Sequence, residues 1–482
     1  MCVTEAMQRF AGRTCAVIGL GTSNRPLVDF LLRFGARVTV RDQKDPATLG
    51  TYVDDLRRKG VGMRFGKGYL DDLCEDFIFR SPGIRPDLTE IALAVERGAV
   101  LTSEMELFLD LTPARVIGIT GSDGKTTTTT VTGKLLEAEC QRSGHGRVFV
   151  GGNIGTPLLP LVEEMTPDDF CVVELSSFQL QTAKRSTELA ALTNLSENHL
   201  NWHVDMDEYV AAKTNIYRHA PNRLLVTNAE NSFTVWLGKA HTGAVTWFSS
   251  RRTCHTDFAD LMRAGDRAVY CRDGMIYLWD GEEERPMLEM AAIAIRGLHN
   301  LENYMTAIGL TEGLVSKETL TEVATDFHGV RHRCEYVRTV DGVAYYNSSI
   351  DSSPTRTRAT LSAMEARPIV IVGGRNKKFE FAPLAKTLCQ RAKAVVLTGE
   401  IAPLVREALE HYRTETGRGL STYEHPDFEG AVRLAREIAT EGDTVLLSPS
   451  ATSFDAFCNF EARGDRFCDI VRGFSEKSTK GE

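Results

Sequence analysis

The segment RVIGITGSDGKTTTTT, residues 115–130, limits the possible folds of this chain more than any other. Its apolar start predicts a buried strand, and the glycines and Lys-Thr pair that follow predict a tight loop leading into a helix. Such a loop turns backbone N–H groups toward an anion, and the helix N-terminus adds partial positive charge. A strand that ends this way is typical of a parallel sheet flanked by helices, so the segment predicts an α/β fold.

The side chains of this loop suit a nucleotide with its metal ion. Lys125 has the reach to contact the outer phosphates, and the Thr126 hydroxyl suits Mg²⁺. The usual spacing G-x-x-x-x-G-K is not met, because position 119 is Ile, so the loop is a shorter variant. Thr127 is expected near a phosphate, whereas residues 128–130 are interpreted as helix packing.

Strand and turn patterns recur on both sides of the loop. TCAVIGLG, ARVTVRD and DFIFRSPGI precede it, and RVFVGG, FCVVELSS, AALTNLS and RLLVTNAE follow it. Near the end, RPIVIVGG, AKAVVLTG and DTVLLSPS have the same form, which indicates a further doubly wound unit. Asp273-Gly274 and Asp341-Gly342, each between apolar runs, predict two hairpins.

Composition restricts the class of partner. The 56 Lys and Arg against 65 Asp and Glu give 56 − 65 = −9, which argues against a protein that coats nucleic acid. Eleven cysteines without CxxC pairs suit reduced thiols rather than a disulfide scaffold or a zinc site. No stretch approaches the roughly 18 apolar residues of a membrane span. We therefore expect a cytoplasmic protein whose partners include neither nucleic acid nor a membrane.

Polar residues follow two more predicted strands. Glu174 ends a strand, at the rim where open α/β sheets bind ligands, and its carboxylate suits Mg²⁺. His199, in LTNLSENHLNWH, follows another strand, and Lys213 lies in the predicted helix YVAAKTNIY. From spacing alone, a structural or surface role stays open for the histidine. For the lysine, spacing alone favours a solvated position on the helix.

The first unit carries a glycine turn of its own. GLGTSN, residues 19–24, imitates a dinucleotide fingerprint, and Asp42 lies about where a ribose-binding acid is expected. Asn24 occupies the third glycine position, however. This turn therefore favours a nucleotide diphosphate over NAD, and a plain tight turn stays open.

These motifs occur together in a fixed order: TGSDGKT, GGNIGTP, VVELSSFQL, NLSENHL, AAK, GLHNLEN, GVRHR and LLSPSATSFDAFCNFEARG. In that order they resemble the Mur ligase family over most of the chain. The resemblance implies three α/β domains: a Rossmann-like UDP-binding domain at 1–112, a central P-loop ATP-binding domain at 113–328, and a Rossmann-like C-terminal domain for the amino acid at 329–482. It implies a monomeric, ATP-dependent ligase of peptidoglycan synthesis that joins D-glutamate to UDP-N-acetylmuramoyl-L-alanine through an acyl phosphate.

The resemblance also implies roles for individual residues. The UDP end of the substrate would contact Gly21, Thr22, Ser23, Asn24, Asp42 and Ser81. ATP would contact Gly121, Ser122, Asp123, Gly124, Lys125, Thr126, Thr127, Asn300, Asn303 and Arg333. Two Mg²⁺ ions would be held by Thr126, Glu174, His199 and a carbamylated Lys213, and the catalytic set would be Lys125, Asn153, Glu174, His199 and Lys213. D-Glutamate would contact Ser352, Lys377, Ser453, Phe454 and Phe460.

One position departs from the family pattern. The family commonly carries Asp where this chain has Ser348, in YYNSS, so a carboxylate expected near ATP is missing. Asp351, three residues further on, is a candidate replacement. Ile350 stands where some relatives carry lysine, which leaves Lys377 as the lysine for the glutamate side chain.

Other functions stay open from the sequence. A related amide ligase that adds L-alanine, L-lysine or diaminopimelate, or a folylpolyglutamate synthase, would share the first two-thirds of the chain, although NSSIDSSP and SATSFDAF favour D-glutamate. Ser348 keeps open a nucleotide-binding homologue that has lost its chemistry. Asn24 weakens the third alternative, an NAD-dependent dehydrogenase.

Overall fold

The computed structural model describes residues 3–21, 23–197, 202–295, 297–364, 366–376 and 379–476. The chain forms two compact units, one ending at Phe327 and the other beginning at His328. The first unit contains two sheets and the second contains one.

The first sheet is wholly parallel, in the order β3-β2-β1-β4-β5. Its strands are β1 (Thr14–Ile18), β2 (Arg37–Asp42), β3 (Gly62–Phe65), β4 (Phe77–Arg80) and β5 (Val100–Thr102). The helices of this region are α1 (Val3–Met7), α2 (Asn24–Arg33), α3 (Tyr52–Arg58), α4 (Thr89–Glu96) and α5 (Glu104–Leu111). The chain leaves β1 toward β2 on one side and returns to β4 on the other. The carboxyl ends of β1 and β4 therefore border a crevice of the kind in which such sheets bind ligands.

The second sheet has nine strands, in the order β14-β13-β12-β11-β10-β9-β6-β8-β7. They are β6 (Arg115–Thr120), β7 (Val148–Gly152), β8 (Phe170–Glu174), β9 (Leu189–Leu192), β10 (Leu224–Asn228), β11 (Ala244–Ser249), β12 (Arg267–Arg272), β13 (Met275–Trp279) and β14 (Glu284–Glu289). Six neighbouring pairs are parallel, and only the β12–β13 and β13–β14 pairs are antiparallel. The helices are α6 (Lys125–Ser143), α7 (Ser177–Leu180), α8 (Met206–Thr214), α9 (Ser232–Ala240), α10 (Leu298–Thr311) and α11 (Lys317–Asp326).

The two sheets of the first unit share one hydrophobic core. Its buried side chains run from the first sheet through Leu107 and Phe108 of α5 to Leu159 and Val162, which pack beside the second sheet. Burial of this apolar surface is the main source of stability at the junction.

The second unit has a six-stranded sheet in the order β15-β16-β20-β17-β18-β19. The strands are β15 (Glu335–Val340), β16 (Val343–Asn347), β17 (Ile369–Gly373), β18 (Ala394–Thr398), β19 (Ser421–Glu424) and β20 (Thr444–Leu447), and the helices are α12 (Pro354–Ala363), α13 (Ala382–Arg391), α14 (Ala402–Thr416), α15 (Phe428–Ile438) and α16 (Phe460–Arg472). All neighbours are parallel except the β15–β16 hairpin.

The predicted α/β fold class is confirmed: the chain forms three largely parallel sheets, one after another, with helices between the strands. Both hairpin predictions are confirmed as well, because Asp273-Gly274 and Asp341-Gly342 have positive φ at both turn residues, as a type I′ turn requires. The limits 1–112, 113–328 and 329–482 stay a prediction. Among the described residues, no helix is both long enough and apolar enough to cross a membrane.

Candidate active site

The glycine loop at the carboxyl end of β6 is held in place by the end of β9. The backbone N–H groups of Ser122 and Asp123 donate to the carbonyl and the side-chain oxygen of Asn194, both at 2.9 Å. The Thr193 hydroxyl donates to the Asp123 carbonyl at 2.6 Å. Gly121 has φ +150°, and a Cβ there would collide with the Thr193 hydroxyl, so only glycine fits. The loop is thus preorganised.

Lys125 opens α6 directly after this loop. Its Nζ atom donates to the carbonyls of Gly121, at 2.9 Å, and Ser122, at 2.8 Å. The ammonium therefore lies over the loop, where a phosphate held by the loop would meet it. Thr126 is 8 % exposed, Thr127 is half-buried, and the two threonines after them are fully buried.

The interpretation of residues 128–130 as helix packing is confirmed. The Thr128 hydroxyl donates to Asn303 Oδ1 at 3.1 Å, and the Thr130 hydroxyl donates back to the Thr126 carbonyl at 2.8 Å. Thr129 is fully buried within the helix packing.

Glu174 ends β8, beside β6, and is 2 % exposed. Its Oε1 atom accepts a hydrogen bond of 2.7 Å from the Asn153 side-chain amide. Its Oε2 atom is buried and has no hydrogen-bond partner among the residues that the structure describes. A buried carboxylate oxygen without a partner is unfavourable unless a cation or a donor satisfies it.

Lys213, on α8, is 2 % exposed, so the interpretation as a solvated helix lysine is wrong. Its Nζ atom donates to the Thr120 hydroxyl at 3.1 Å and to the Gly121 carbonyl at 2.8 Å, and lies 4.9 Å from the centroid of the Tyr209 ring. Burial, with a smaller effect of the Lys125 ammonium, lowers the pKa of Lys213 well below its ordinary value. A lowered pKa supplies the neutral amine that reaction with CO₂ requires.

The donor atoms around the loop suit a divalent cation with oxygen ligands. The unpaired oxygen of Glu174 and the hydroxyl of Thr126 are ligands of the kind that Mg²⁺ prefers. Lys213 would become an oxygen ligand only as a carbamate. Groups of three or more His, Cys, Asp or Glu side chains able to hold a metal are not found in the described part of the chain, and His199 lies outside that part.

The residues predicted at the adenine end lie on α10, which packs against the loop. Asn303 is 5 % exposed, accepts from Thr128, and donates to Asn300 Oδ1 at 3.2 Å. Gly124 has φ +80°, and a Cβ there would lie 2.5 Å from Asn303 Oδ1. Asn303 therefore packs against the loop at Gly124. Its hydrogen-bond partner Asn300 is half-buried.

In the first sheet, the predicted UDP-binding residues cluster at the crevice between β1 and β4. Asn24 is buried, and its amide donates to the carbonyls of Ile18, at 3.2 Å, and Gly19, at 2.8 Å. A Cβ on Gly19 would lie 2.9 Å from the Ser81 side chain, so the two turns are in close contact. Gly21 and Ser23 belong to the same turn as Asn24, and Thr22 lies outside the described residues.

Asp42 closes this turn rather than pointing away from it. Its two carboxylate oxygens accept from the backbone N–H groups of Leu20, at 2.7 Å, and Lys44, at 2.8 Å, and the residue is 5 % exposed. The carboxylate thus orients the loops that follow β1 and β2, and any contact with a ribose would add to these bonds.

The predicted D-glutamate residues belong to the second unit. Ser453 is buried, Ser352 and Phe460 are half-buried and Phe454 is 52 % exposed, while Lys377 lies outside the described residues. Arg333, predicted to contact ATP, is exposed in the same unit.

Asp351 faces the interior of the second unit. Its Oδ2 atom accepts from the hydroxyls of Ser448, at 2.7 Å, and Thr360, at 2.8 Å, and burial raises its pKa. Ser348 is also buried and accepts from the backbone N–H of Cys334 at 3.2 Å. In this arrangement the Asp351 carboxylate is hydrogen-bonded within the fold, and its replacement of the carboxylate missing at position 348 stays a prediction.

Sequence reasoning missed a buried arginine that organises the carboxyl edge of this unit. Arg463 is 2 % exposed and donates to the Ser349 carbonyl at 2.9 Å, the Ser349 hydroxyl at 3.0 Å and the Ala451 carbonyl at 3.0 Å. It ties the loop after β16 to the loop after β20. The signal was weak, because an arginine in the middle of a charged helix reads as a surface residue.

Family models match the chain in three stretches. Residues 13–103 match the MurD-like N-terminal domain of Mur ligases, residues 119–311 the Mur ligase middle domain, and residues 332–451 the glutamate ligase domain of Mur ligases. The chain belongs to the Mur ligase family.

Two relatives that are similar over nearly the whole chain carry the same name. The UDP-N-acetylmuramoylalanine–D-glutamate ligase of Clostridium perfringens is 42% identical over 469 residues, 97% of this chain and 98% of that protein. The protein of the same name from Clostridium beijerinckii is 43% identical over 470 residues, with 97% and 98% covered. The solved UDP-N-acetylmuramate-alanine ligase of Thermotoga maritima superposes with a TM-score of 0.52 at 18% identity, covering 95% of this chain and 99% of that one, and shows the common fold.

Proposed function

We propose that this chain joins D-glutamate to UDP-N-acetylmuramoyl-L-alanine, with conversion of ATP to ADP and phosphate, in the synthesis of the peptidoglycan precursor. The observation that carries the proposal is identity of about 42% along almost the whole length of ligases named for this reaction. The cluster of Lys125, Glu174 and Lys213 around the glycine loop supplies the groups that the chemistry needs.

The reaction begins with the L-alanine carboxylate as nucleophile. One of its oxygens attacks the γ-phosphorus of ATP, the bond to the β–γ bridging oxygen breaks, and ADP leaves with that electron pair. The amine of D-glutamate then attacks the acyl carbon of the resulting acyl phosphate. The C–O bond breaks, phosphate leaves, the nitrogen loses a proton, and the amide remains.

The protein brings two anions together, so its main work is charge neutralisation and alignment. We assign phosphate binding to the N–H groups of 121–124 and to Lys125, together with Thr126 and Thr127. Mg²⁺ would be held by Thr126, Glu174, His199 and carbamylated Lys213, and would supply positive charge at the phosphate oxygens when bound. We propose that the site binds two Mg²⁺ ions.

Glu174 is positioned for its role by Asn153. The amide fixes one carboxylate oxygen and leaves the other without a partner among the described residues. For Lys213, the neutral amine would attack CO₂, form an N–C bond and lose a proton, giving an anionic oxygen ligand in place of an ammonium. The lowered pKa of Lys213 supports this step.

The remaining assignments follow the three domains. The UDP end would lie in the crevice formed by Gly21, Thr22, Ser23, Asn24, Asp42 and Ser81, and the adenine end of ATP beside Asn300 and Asn303. Arg333 would contact ATP, and D-glutamate would be held by Ser352, Lys377, Ser453, Phe454 and Phe460. We further propose a monomer that acts in the cytoplasm. The ten described cysteines are all free, which suits a reducing compartment.

The test is phosphate release with UDP-N-acetylmuramoyl-L-alanine and ATP over a panel of acceptors. D-Glutamate should support turnover, whereas L-glutamate, L-alanine, L-lysine and diaminopimelate should not. A preference for another acceptor would assign the chain to a different ligase reaction within the family.

A further inference from the structure

Two arginines flank the turn that follows β4, in the sequence RSPGIR, residues 80–85. The turn itself packs on the end of β1: the Ser81 N–H donates to the Ile18 carbonyl at 2.8 Å, and the Ser81 side chain fills the space beside Gly19. Neither arginine has been given a role so far.

Arg80 reaches from this turn into the second sheet. It is 1 % exposed, and its Nη1 atom donates to the Ile84 carbonyl at 2.9 Å, within the turn. Its Nη2 atom donates to the Phe178 carbonyl at 2.8 Å and to the Thr182 hydroxyl at 3.4 Å. Phe178 lies on α7, four residues after Glu174. One guanidinium thus bridges the turn that follows β4 and the segment that follows Glu174.

Burial of the Arg80 guanidinium, which holds two backbone segments together, is unfavourable in free energy. No ion pair of Arg80 occurs within the described residues. Burial lowers its pKa to about 10, an effect that the more distant Glu106 carboxylate partly offsets. Removing an arginine from water without a paired carboxylate is unfavourable, and an apolar side chain would fill the same space without that penalty. An apolar residue could not donate hydrogen bonds to two backbone segments at once, as the forked guanidinium does.

Arg85 makes a second bridge from the other end of the turn. It donates to Glu208 Oε1 at 3.0 Å, to the Trp202 carbonyl and to the Asp87 carboxylate at 2.8 Å. Glu208 lies in the first turn of α8, the helix that carries Lys213, and its Oε2 atom accepts from the Val204 N–H at 2.7 Å.

We propose that Arg80 and Arg85 are positioning residues that fix the turn 81–84 relative to α7, which follows Glu174 in the chain, and to α8, which carries Lys213. The inference rests on the proposed function, in which the turn binds the UDP end of the substrate. The L-alanine carboxylate lies at the far end of that substrate and must reach the γ-phosphate in line. Loosening the turn therefore changes the alignment of the reacting groups and leaves the separate binding sites intact.

The experiment compares steady-state ADP release with binding of UDP alone and ADP alone by calorimetry. The variants are Arg80→Met, Arg80→Lys, Arg85→Gln, Arg85→Lys, Glu208→Gln and the double variant Arg85→Gln/Glu208→Gln. The control is Arg115→Lys, which alters another arginine ion pair of the same unit, with Glu188 at 3.4 Å, at the amino end of β6.

We expect Arg80→Met and Arg85→Gln to lower kcat about 10- to 100-fold while the Kd values of UDP and ADP change less than about 2-fold, because a misplacement of about 1 Å is enough for such a loss. The lysine variants should recover part of kcat. The kcat of the double variant should be no lower than that of Arg85→Gln alone, since both changes remove the same Arg85–Glu208 ion pair. Arg115→Lys should retain the wild-type kcat.

A purely structural role predicts a different pattern: lower melting temperatures with wild-type kcat in the folded fraction. That pattern, or additive effects of Arg85→Gln and Glu208→Gln, overturns the inference. If Arg80→Met does not fold, the Arg85 and Glu208 series decides alone. A wild-type protein that releases no ADP with UDP-N-acetylmuramoyl-L-alanine overturns the proposed function and this inference with it, whereas an active wild type with unaffected variants overturns the inference only.

Discussion

The side chains of Glu174 and Asn153 are joined by a hydrogen bond of 2.7 Å, and the Asn153 backbone N–H donates to the Glu174 carbonyl, also at 2.7 Å. This double contact holds the carboxylate by one oxygen and leaves the buried Oε2 atom with no partner in the described part of the chain. A buried carboxylate oxygen without a partner suits the Mg²⁺ site that we propose.

Glu174→Gln tests this interpretation with little change of shape. The amide loses the negative charge, so the Mg²⁺ concentration for half-maximal ADP release should rise about tenfold or more. A Mg²⁺ titration of ADP release measures the shift. Glu188→Gln, directly before β9 at the amino end of the parallel strands, is the control and should keep the wild-type titration curve. An unchanged Mg²⁺ requirement in Glu174→Gln would remove the carboxylate from the metal site.

Lys213→Ala should nearly abolish turnover, because the anionic ligand that a carbamate would provide is lost. Addition of a short carboxylic acid should restore part of the activity by placing a carboxylate in the space of the missing side chain. ADP release with and without the acid measures both effects. Lys239→Ala, an exposed lysine near the end of α9, should be indistinguishable from the wild type. Full activity of Lys213→Ala without the acid contradicts the assignment.

Lys125→Ala should lower ADP release to about 1% of the wild type or less, since one preorganised charge at a reacting group contributes 10²–10³-fold. Lys134→Ala removes an exposed lysine from the same helix and should have no effect. The comparison separates loss of phosphate contact from loss of helix stability. Near wild-type turnover in Lys125→Ala would falsify the assignment of the loop.

Gly124→Ala and Gly144→Ala form a matched pair at the two ends of α6. Both residues are left-handed, with φ +80° and +73°, so each substitution strains the backbone by about 1–2 kcal/mol. A Cβ at position 144 meets nothing within 4 Å, whereas one at position 124 meets Asn303 Oδ1 at 2.5 Å. Calorimetry should show ADP binding weakened about tenfold, or by about 1.4 kcal/mol, only in Gly124→Ala. Equal ADP affinity in the two variants would show that the contact with Asn303 does not shape the loop.

Glu104 gives the first unit a pH-dependent stability. Burial raises the pKa of this carboxyl from 4.5 to about 7, and its Oε1 atom has no partner within the described residues. Because the folded-state pKa is the higher one, the folded protein binds the proton more tightly than the unfolded chain does. The stabilisation is present below pH 4.5 and is lost as the pH rises to about 7, on the order of 3 kcal/mol in all.

Denaturant unfolding between pH 4.5 and 7.5 measures this effect. Glu104→Gln, which cannot ionise, should make the free energy of unfolding less dependent on pH in that window. Glu90→Gln, an exposed glutamate on α4, should leave the slope of the wild type unchanged. The same slope in Glu104→Gln and the wild type would mean that this carboxyl does not carry the pH dependence.

The central strands could be predicted from the sequence because they are continuous apolar runs that end in glycine or polar residues. RVIGIT and FCVVE appear in the structure as β6 and β8 at the positions expected. Edge strands such as β19, Ser421–Glu424, could not be found this way. All four of its residues are exposed, so no apolar pattern marks it.

The candidate site could be predicted from the sequence only where its residues are close together along the chain. The loop 121–126 reveals itself by strand, glycines and helix in sequence. The burial of Lys213 is not local: it depends on contacts with residues 120 and 121, about ninety positions away. The structural role of Asn303 depends on Thr128, and the inward orientation of Asp351 depends on Ser448, for the same reason.

The proposed reaction is tested most directly by ADP release from ATP and UDP-N-acetylmuramoyl-L-alanine, with D-glutamate supplied or omitted. We expect sustained turnover only with D-glutamate, and one amide product formed for each ADP released. Sustained ADP release that is indifferent to D-glutamate, or none when all three substrates are present, would contradict it.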